Sequence, residues 1–227
     1  MSRSLTDHVE ELLKADIARG VFAPSQPLRM ELLKARFDAG LSPIREALSR
    51  LLAEGIVELE ANRGFRVPAL SRADLLDIAI TRGAVETAAV RRAIALGDDA
   101  WEAQIVGALH HYKRLAARAF EEDAALEAWE KAHDALHRAL ICACGSPRLL
   151  ALQARYQEQH LRYRRLIVIP EVSRDAHIAE HENLVATVLA RDAAAAAAAV
   201  ERHMMITADV LDAAGYWDQA QPPPRQG

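Results

Sequence analysis

Two histidines spaced four residues apart suggest chemistry in this sequence. His133 and His137 stand in "WEKAHDALHRALICACGSPRL", residues 129–149, and the pair Cys142 and Cys144 follows them. Side chains at positions i and i+4 of a helix meet on one face. The two imidazoles could therefore share a metal ion, act as a catalytic pair or pack in a core. The spacing alone leaves these alternatives open.

Both histidines fall on the apolar face of a predicted helix. That face comprises Leu126, Trp129, His133, Leu136, His137, Leu140, Ile141 and Cys144. His181 and His203 lie on the apolar faces of two later helices, whereas His177 lies at the edge of its face and is left out of the set. Helix bundles build metal sites from inward side chains on facing helices. The four histidines therefore predict a metal centre, with hydrogen-bonded core histidines as the alternative.

The two cysteines are interpreted as core residues. Positions i and i+2 project about 200° apart on a helix, so the thiols of Cys142 and Cys144 diverge. A Cys-x-Cys pair is also too short for a thioredoxin-like motif.

Composition is typical of a cytoplasmic globular protein. Of 227 residues, 51% are hydrophobic and 26% are charged, which suffices for a core. No apolar run reaches the roughly 18 residues of a membrane span, and the acidic, amphipathic N-terminus is unlike a signal peptide. The net charge of −4 does not indicate nucleic-acid binding. Such binding must rest on the arrangement of residues.

Residues 1–68 are predicted to form three helices and a hairpin. The helices are "SLTDHVEELLKADIARG", with Thr6 as its cap, "RMELLKARFDAG", and "LSPIREALSRLLAEG", with Ser42 as its cap. "IVELE" and "FRV" flank the turn "ANRG" and predict two paired strands. Three helices followed by a hairpin are typical of a winged helix-turn-helix.

The third helix carries the main candidates for DNA contact. Its apolar stripe faces the core, which leaves Arg45 and Ser49 pointing outward in the part that meets base edges in helix-turn-helix proteins. Arg45 is the candidate for a guanine contact, and Ser42 at the helix start is a candidate for a phosphate contact. The other candidates are Arg63 and Gly64 in the hairpin turn, and Arg29 and Arg36 beside the second helix for phosphates.

After the linker "VPALS" the periodicity is helical to residue 214. Helices are predicted near 71–96, 98–121, 124–144, 147–168, 173–191 and 192–214, with a seventh if the first one breaks. The fold class is therefore mainly α, with a winged helix-turn-helix at 1–68 and an all-α bundle of six or seven helices at 71–214. Residues 215–227 are a predicted flexible tail.

The stretches "DIARGVFAPSQPL" and "LSPIREALSRLLAEGIVELEANRGFRV" carry a resemblance to a known family. They resemble the winged-helix domain of GntR-family bacterial transcription regulators, which have a G-x-F/L-x-P-G stretch, a P-V/I/L-R-E-A-L helix start and an R-G wing. The chain departs from the pattern at Ser25, where Gly is usual, and at Leu41, where many members have Arg. The second departure leaves Arg45 with more of the base readout.

Three later stretches, "TRGAVETAAVRRAI", "HDALHRALICACGSPRL" and "EHENLVATVLARDAAAAAAAVERH", follow in the order expected of a second domain. They resemble the FCD effector-binding domain of the FadR-type branch of that family. The resemblance implies a divalent metal bound by one Asp and three His, with His137, His181 and His203 in the histidine positions. His133 occupies the Asp position, and Asp134 lies one residue late. A His there, after a Trp and with "ALHRAL", is similar to a branch of carboxylate-responsive regulators, including glutarate-type ones.

The His in place of Asp changes the expected electrostatics. Four neutral imidazoles leave the charge of a metal uncompensated, so we expect an anionic ligand and a preference for Zn²⁺ or Ni²⁺ over Mg²⁺ or Ca²⁺. An acid effector also needs a cation or a hydrogen-bond donor. The candidates for effector binding are Arg82, Arg162, Arg165 and Tyr163. A histidine-lined pocket for a metal-free organic ligand is the alternative.

These features favour a regulator over an enzyme. The rival is a histidine-metal hydrolase, but the sequence has no H-E-x-x-H motif and no nucleophile elbow. Glu180 and Glu182, which flank His181, are expected to point away from the site. We therefore predict a homodimeric repressor that binds double-stranded operator DNA, senses a small carboxylate and catalyses no reaction.

Overall fold

The structure is a computed structural model, and it describes residues 4–117, 123–167 and 174–218. The described chain is mostly helical, as predicted. Its helices are α1 (Leu5–Ala18), α2 (Met30–Phe37), α3 (Leu41–Glu54), α4 (Arg72–Leu96), α5 (Asp99–Ala116), α6 (Asp123–Ile141), α7 (Pro147–Arg164), α8 (Arg174–Leu189) and α9 (Ala193–Ala213). None of these described helices is both long enough and apolar enough to span a membrane.

Contacts divide the described chain into two units, each with its own core. The first unit comprises residues 4–75, 158–167 and 210–218, and the second comprises residues 76–117, 123–157 and 174–209. The helices α4, α7 and α9 each contribute residues to both units. The end of α7 thus groups with the segment that was predicted to bind DNA.

The start of α1 differs from the prediction, because Ser4 caps the helix and Thr6 does not. The Ser4 hydroxyl accepts from the Asp7 N–H, and the Asp7 carboxylate accepts from the Ser4 N–H, each at 3.1 Å. This reciprocal capping box satisfies two backbone donors. The Thr6 hydroxyl instead donates to Glu46 Oε2 at 3.3 Å.

The helix α3 begins two residues earlier than its predicted cap implies. Gly40 is its N-cap, so Ser42 lies inside the first turn and does not cap the helix. Pro43 fits this turn because its missing N–H would have no intrahelical partner there. Gly55 ends α3 in the left-handed region, with φ 76°, which glycine adopts without steric cost.

The predicted hairpin is confirmed. The strands β1 (Glu58–Glu60) and β2 (Gly64–Arg66) pair antiparallel, with Glu58 opposite Arg66. Behind them, α1, α2 and α3 bury the core of the first unit, which includes Val9, Leu13, Leu33, Ile44, Leu48, Leu51, Ile56 and Val67. Three helices and a two-stranded wing form a winged helix-turn-helix.

The second unit is an all-helical bundle. Its core includes Val90, Trp101, Ile105, Tyr112, Leu136, Leu140, Val185, Val188 and Val200. Cys144 is buried and Cys142 is partly buried, and neither forms a disulfide. The α-helical geometry of α6 ends at Ile141, and Cys142–Cys144 form a 3₁₀ turn. The α6 end is held by Trp101 Nε1, which donates to the Ala139 carbonyl at 2.8 Å.

Other helix ends are also shorter than predicted. The α-helix in α7 stops at Arg164, and Arg165–Ile167 continue as a 3₁₀ turn. Tyr216–Asp218 form another such turn at the start of the predicted tail. Residues 118–121 of the predicted second bundle helix and 219–227 of the predicted tail lie outside the described residues.

Candidate metal centre and nucleic-acid interface

Four histidines from three helices of the second unit converge. His133 and His137 come from α6, His181 from α8 and His203 from α9, and all four are buried. One ligand nitrogen from each lies within 4.8 Å of all the others. The Nε2 atoms of His137 and His203 are 3.2 Å apart. Nitrogens that each lie about 2 Å from one shared ion are separated by about 3 Å, so this spacing fits common ligands of a metal.

One nitrogen of the cluster provides an independent test of that fit. The His181 Nδ1 donates to the carbonyl oxygen of His177 at 2.6 Å, which leaves the lone pair on Nε2. That Nε2 atom is buried and has no hydrogen-bond partner among the described residues. A buried acceptor without a donor is costly. A divalent cation bound by Nε2 would remove that cost.

Burial favours the neutral form of two imidazoles of the cluster, those of His181 and His203. It lowers the pKa of His181 well below its ordinary value, and the neighbouring His203 adds to this effect. Burial also lowers the pKa of His203 to about 4. Metal binding requires unprotonated imidazole, so these histidines are available as ligands at neutral pH.

A buried ion pair on α4 lies behind His137. Arg82 donates from Nε and Nη2 to Glu86 Oε1 at 3.0 and 2.7 Å, and Glu86 Oε2 lies 3.4 Å from His137 Nδ1. Burial alone would raise the pKa of Glu86, but the charge of Arg82 and the contact with His137 lower it to about 2. Glu86 is therefore ionised, and Arg82, a predicted effector residue, joins the cluster through it.

Tyr112 of α5 is part of the site and was missed in the sequence. Its hydroxyl is 2.6 Å from His177 Nδ1 and 3.4 Å from His181 Nδ1. The available signal was its apolar spacing with Trp101, Ile105 and Ala116, which share the buried face of α5. His177 is not among the four residues whose nitrogens converge.

Two acidic residues lie closer to the histidines than the sequence indicated. The expectation that Glu180 points away from the site is wrong, because its Oε1 is 3.8 Å from His203 Nδ1. Asp134, off the shared face of α6, has Oδ1 at 3.3 Å from His133 Nδ1. Both carboxylates contact a ring nitrogen from outside the cluster.

Tyr163 and Arg162, two of the other predicted effector residues, contact the linker in the first unit. Tyr163 is buried, and its hydroxyl donates to Asp74 Oδ2 at 2.5 Å and accepts from the Ser71 N–H at 3.2 Å. Arg162 Nη1 donates to the Pro68 carbonyl at 3.2 Å. Arg165 opens the 3₁₀ turn after α7. Only Arg82 of the predicted effector set lies in the second unit with the histidines.

The outer face of α3 is the candidate DNA surface. Arg45 is exposed, and its guanidinium forms no hydrogen bond or ion pair among the described residues. Ser42 is exposed in the first turn of α3. Ser49 is also exposed, but its hydroxyl donates to the Arg45 carbonyl at 2.8 Å. Of these side chains, the one with the longest free reach is therefore Arg45.

The other residues predicted to contact DNA differ in their exposure and in the ion pairs they already form. Arg63 at the wing is 76% exposed and contacts Glu60 Oε1 at 2.8 Å, next to Gly64 with φ 86°. Arg29 is exposed at the start of α2. Arg36 instead donates from Nε and Nη2 to the buried carboxylate of Asp16 at 2.5 and 2.9 Å. A phosphate would have to compete with that ion pair.

Two family models match the chain in the order of the two predicted domains. The model described as bacterial regulatory proteins, gntR family, matches residues 5–67, and the FCD domain model matches residues 77–205. The chain therefore belongs to the GntR family, in the group that carries an FCD domain. It is a DNA-binding transcription regulator and not an enzyme.

Relatives agree with this membership, and solved structures share the fold. The chain is 38% identical over 207 residues to the HTH-type transcriptional repressor GlaR of Escherichia coli (strain K12), covering 89% of this chain and 93% of that protein. It is 38% identical to the HTH-type transcriptional regulator BphR of Paraburkholderia xenovorans (strain LB400), covering 84% and 78%. The fold is shared with E. coli McbR/YncC, with TM-score 0.75 at 21% identity, covering 94% and 100%. It is also shared with a putative GntR regulator from Rhodococcus sp. RHA1, with TM-score 0.70 at 21% identity, covering 92% and 98%.

Proposed function

We propose that this regulator is a cytoplasmic homodimeric repressor that releases operator DNA when a small carboxylate binds its FCD domain. The observation that carries the proposal is the cluster of four buried imidazoles in a chain that also has a winged helix. Repression is supported by GlaR, which is named a transcriptional repressor and matches nearly the whole chain.

The metal ligands in this proposal are His133, His137, His181 and His203. A bound divalent ion would supply a Lewis-acidic centre with positions open to an oxygen ligand. An all-nitrogen ligand set favours Zn²⁺ or Ni²⁺, whereas Mg²⁺ and Ca²⁺ prefer oxygen ligands. Arg82 is the proposed cation for the effector, since it is the one guanidinium from the predicted effector set that is connected to the histidines, through Glu86.

Dimerisation would place two α3 helices on two half-sites of a pseudo-palindromic operator, with Arg45 reading bases and Arg63 at the wing. An effector that binds one conformation more tightly than the other shifts the population between the DNA-binding and released states. The size of the response is set by that difference in affinity.

The test measures DNA binding by fluorescence anisotropy, with a DNA fragment that the protein selects from a random pool. C3–C6 monocarboxylates and dicarboxylates are added with Zn²⁺ present and again after chelation. The proposal predicts that at least one carboxylate releases the DNA, is recovered unchanged, and acts only with metal bound. Release that persists after chelation would favour the metal-free pocket. No effect from any carboxylate would contradict carboxylate sensing.

A further inference from the structure

Each of the four histidines has an oxygen atom close to its Nδ1. The pairs are His133 Nδ1 with Asp134 Oδ1 at 3.3 Å, His137 Nδ1 with Glu86 Oε2 at 3.4 Å, His181 Nδ1 with the His177 carbonyl at 2.6 Å, and His203 Nδ1 with Glu180 Oε1 at 3.8 Å. Three of these oxygens belong to carboxylates, which we call the outer ring: Glu86, Asp134 and Glu180. The outer ring comes from three helices, α4, α6 and α8.

An oxygen acceptor beside Nδ1 selects one tautomer of imidazole. The proton stays on Nδ1, and the lone pair stays on Nε2, where it can bind a metal. The Asp134 carboxylate and the His177 carbonyl provide this selection by hydrogen bonds to Nδ1 of His133 and His181. Glu86 and Glu180 lie 3.4 and 3.8 Å from Nδ1 of His137 and His203, where no hydrogen bond is formed among the described residues, and their negative charge favours a proton on that nitrogen. The two Nε2 atoms that face each other at 3.2 Å, on His137 and His203, agree with this arrangement.

The outer ring also changes the charge of the site. Four neutral imidazoles contribute no negative charge, so a divalent ion among them would be left with two uncompensated positive charges. The outer ring supplies three negative charges, and the buried guanidinium of Arg82 on Glu86 adds one positive charge. The two charges of the ion and the one of Arg82 equal the three of the outer ring. The expected charge deficit is thus removed without an anionic ligand on the metal.

We propose that Glu86, Asp134 and Glu180 are positioning residues that fix the Nε2 lone pairs and balance the charge of the ion. This inference rests on the metal centre of the proposed function. It implies that the metal stays bound when no carboxylate effector is present. It also assigns a role to Asp134, whose carboxylate acts on the ion through His133 and not as a ligand.

The test compares Zn²⁺ affinities of the full-length protein, freed of metal and titrated against a chromophoric chelator in a buffer without carboxylates. Asp134→Asn and Glu180→Gln should each weaken Zn²⁺ binding by about tenfold or more, the usual effect of removing an outer partner of a ligating histidine. Glu86→Gln should weaken it as well. The Glu86 variant also leaves buried Arg82 without its counter-charge. The result is therefore judged on Asp134→Asn and Glu180→Gln, whose side chains are partly exposed.

The matched control is Glu182→Gln. Glu182 flanks His181 on the same helix as Glu180, but it accepts from Lys113 Nζ, and no contact joins it to a ring nitrogen among the described residues. Its Zn²⁺ affinity should equal that of the wild type. The thermal midpoints of the metal-free Asp134→Asn and Glu180→Gln variants should also stay at the wild-type value, which separates loss of metal binding from loss of folding.

A second readout is the visible absorption of the Co²⁺-loaded protein. The bands should shift in Asp134→Asn, because His133 becomes a weaker donor, and stay in place in Glu182→Gln. If Asp134→Asn and Glu180→Gln have the same Zn²⁺ affinities and Co²⁺ absorption bands as the control, the proposed role of the outer ring is wrong. That result would not contradict the metal centre itself. Failure of the wild type to bind either ion would overturn both.

Discussion

Four buried histidines of the second unit each bring one ligand nitrogen within 4.8 Å of the others. Burial keeps His181 and His203 neutral, and an oxygen atom lies near Nδ1 of each of the four. His181 is the most constrained of the four, with Nδ1 bound to the His177 carbonyl and Nε2 directed at no protein donor among the described residues. A buried lone pair in that state requires a hydrogen-bond donor or a cation.

His181→Ala therefore should abolish stabilisation by metal. Adding Zn²⁺ should raise the thermal midpoint of the wild type, because a ligand that binds only the folded state stabilises it. The variant should show little or no gain. His111→Ala, a change at an exposed histidine of α5, is the control and should keep the full gain. An equal gain in His181→Ala would exclude His181 as a ligand.

The metal-free protein should become less stable as the pH falls below about 6.5. The unfolded chain takes up protons near the ordinary histidine pKa of about 6.5, whereas burial lowers the pKa of folded His203 to about 4 and that of folded His181 well below 6.5. Between these values the unfolded state binds more protons, so acid favours unfolding. Urea denaturation at a series of pH values measures this. Constant stability from pH 7 to 5 would contradict the neutral buried histidines.

At the scale of elements, helical periodicity predicted which faces are buried. It placed all four histidines and Cys144 inside the second unit, and it placed Arg45 on the outer face of α3. It could not predict the reach of flexible side chains. Asp134 and Glu180 lie off the buried face by position, yet their carboxylates extend to ring nitrogens of His133 and His203.

Contacts between distant parts of the chain also could not be predicted from the sequence. The hydroxyl of Tyr163, a predicted effector residue, donates to Asp74 Oδ2, 89 positions earlier. No local period encodes such a pairing. The predictions of the helix caps were wrong for a different reason. The actual caps are Ser4 and Gly40, and the predicted caps were Thr6 and Ser42. Ser, Thr and Gly are all favoured at the N-cap, so residue type alone does not choose between neighbouring positions.

The exposed Arg45 in the first turns of α3 is predicted to contribute to operator affinity. Arg45→Ala should reduce affinity for the selected operator by about tenfold or more, since a bidentate arginine–guanine contact contributes about 1–3 kcal/mol of discrimination. Arg91→Ala, an exposed arginine of α4, is the control and should bind as the wild type does. Anisotropy titrations at one salt concentration measure both. Unchanged affinity in Arg45→Ala would remove its role in recognition.

The hydrogen bonds of Tyr163 at the end of α7 are predicted to stabilise the folded protein. Tyr163→Phe keeps the buried ring but removes the hydrogen bonds with Asp74 and Ser71, which should cost about 1–2 kcal/mol. Tyr156→Phe on the same helix is the control, because no hydrogen bond to its hydroxyl is formed among the described residues. Chemical denaturation compares the two. Equal stability would show that the linker contacts of Tyr163 are not significant.

At the scale of the whole molecule, the chain combines a winged helix and an FCD domain of one regulator family. The helices α4, α7 and α9 each supply residues to both units. A binding event in the second unit therefore involves helices that also contribute to the first. In the proposed mechanism, effector and operator bind the same polypeptide, and a free energy of coupling links the two binding events.

The metal content of the wild-type protein tests the central claim most directly. The protein is purified without a metal-affinity column and analysed by inductively coupled plasma mass spectrometry, with His181→Ala purified in parallel. We predict about one divalent ion, Zn²⁺ or Ni²⁺, per chain in the wild type and much less in the variant. A wild type that carries no divalent ion, and takes up none on dialysis against Zn²⁺ or Ni²⁺, would contradict the metal centre.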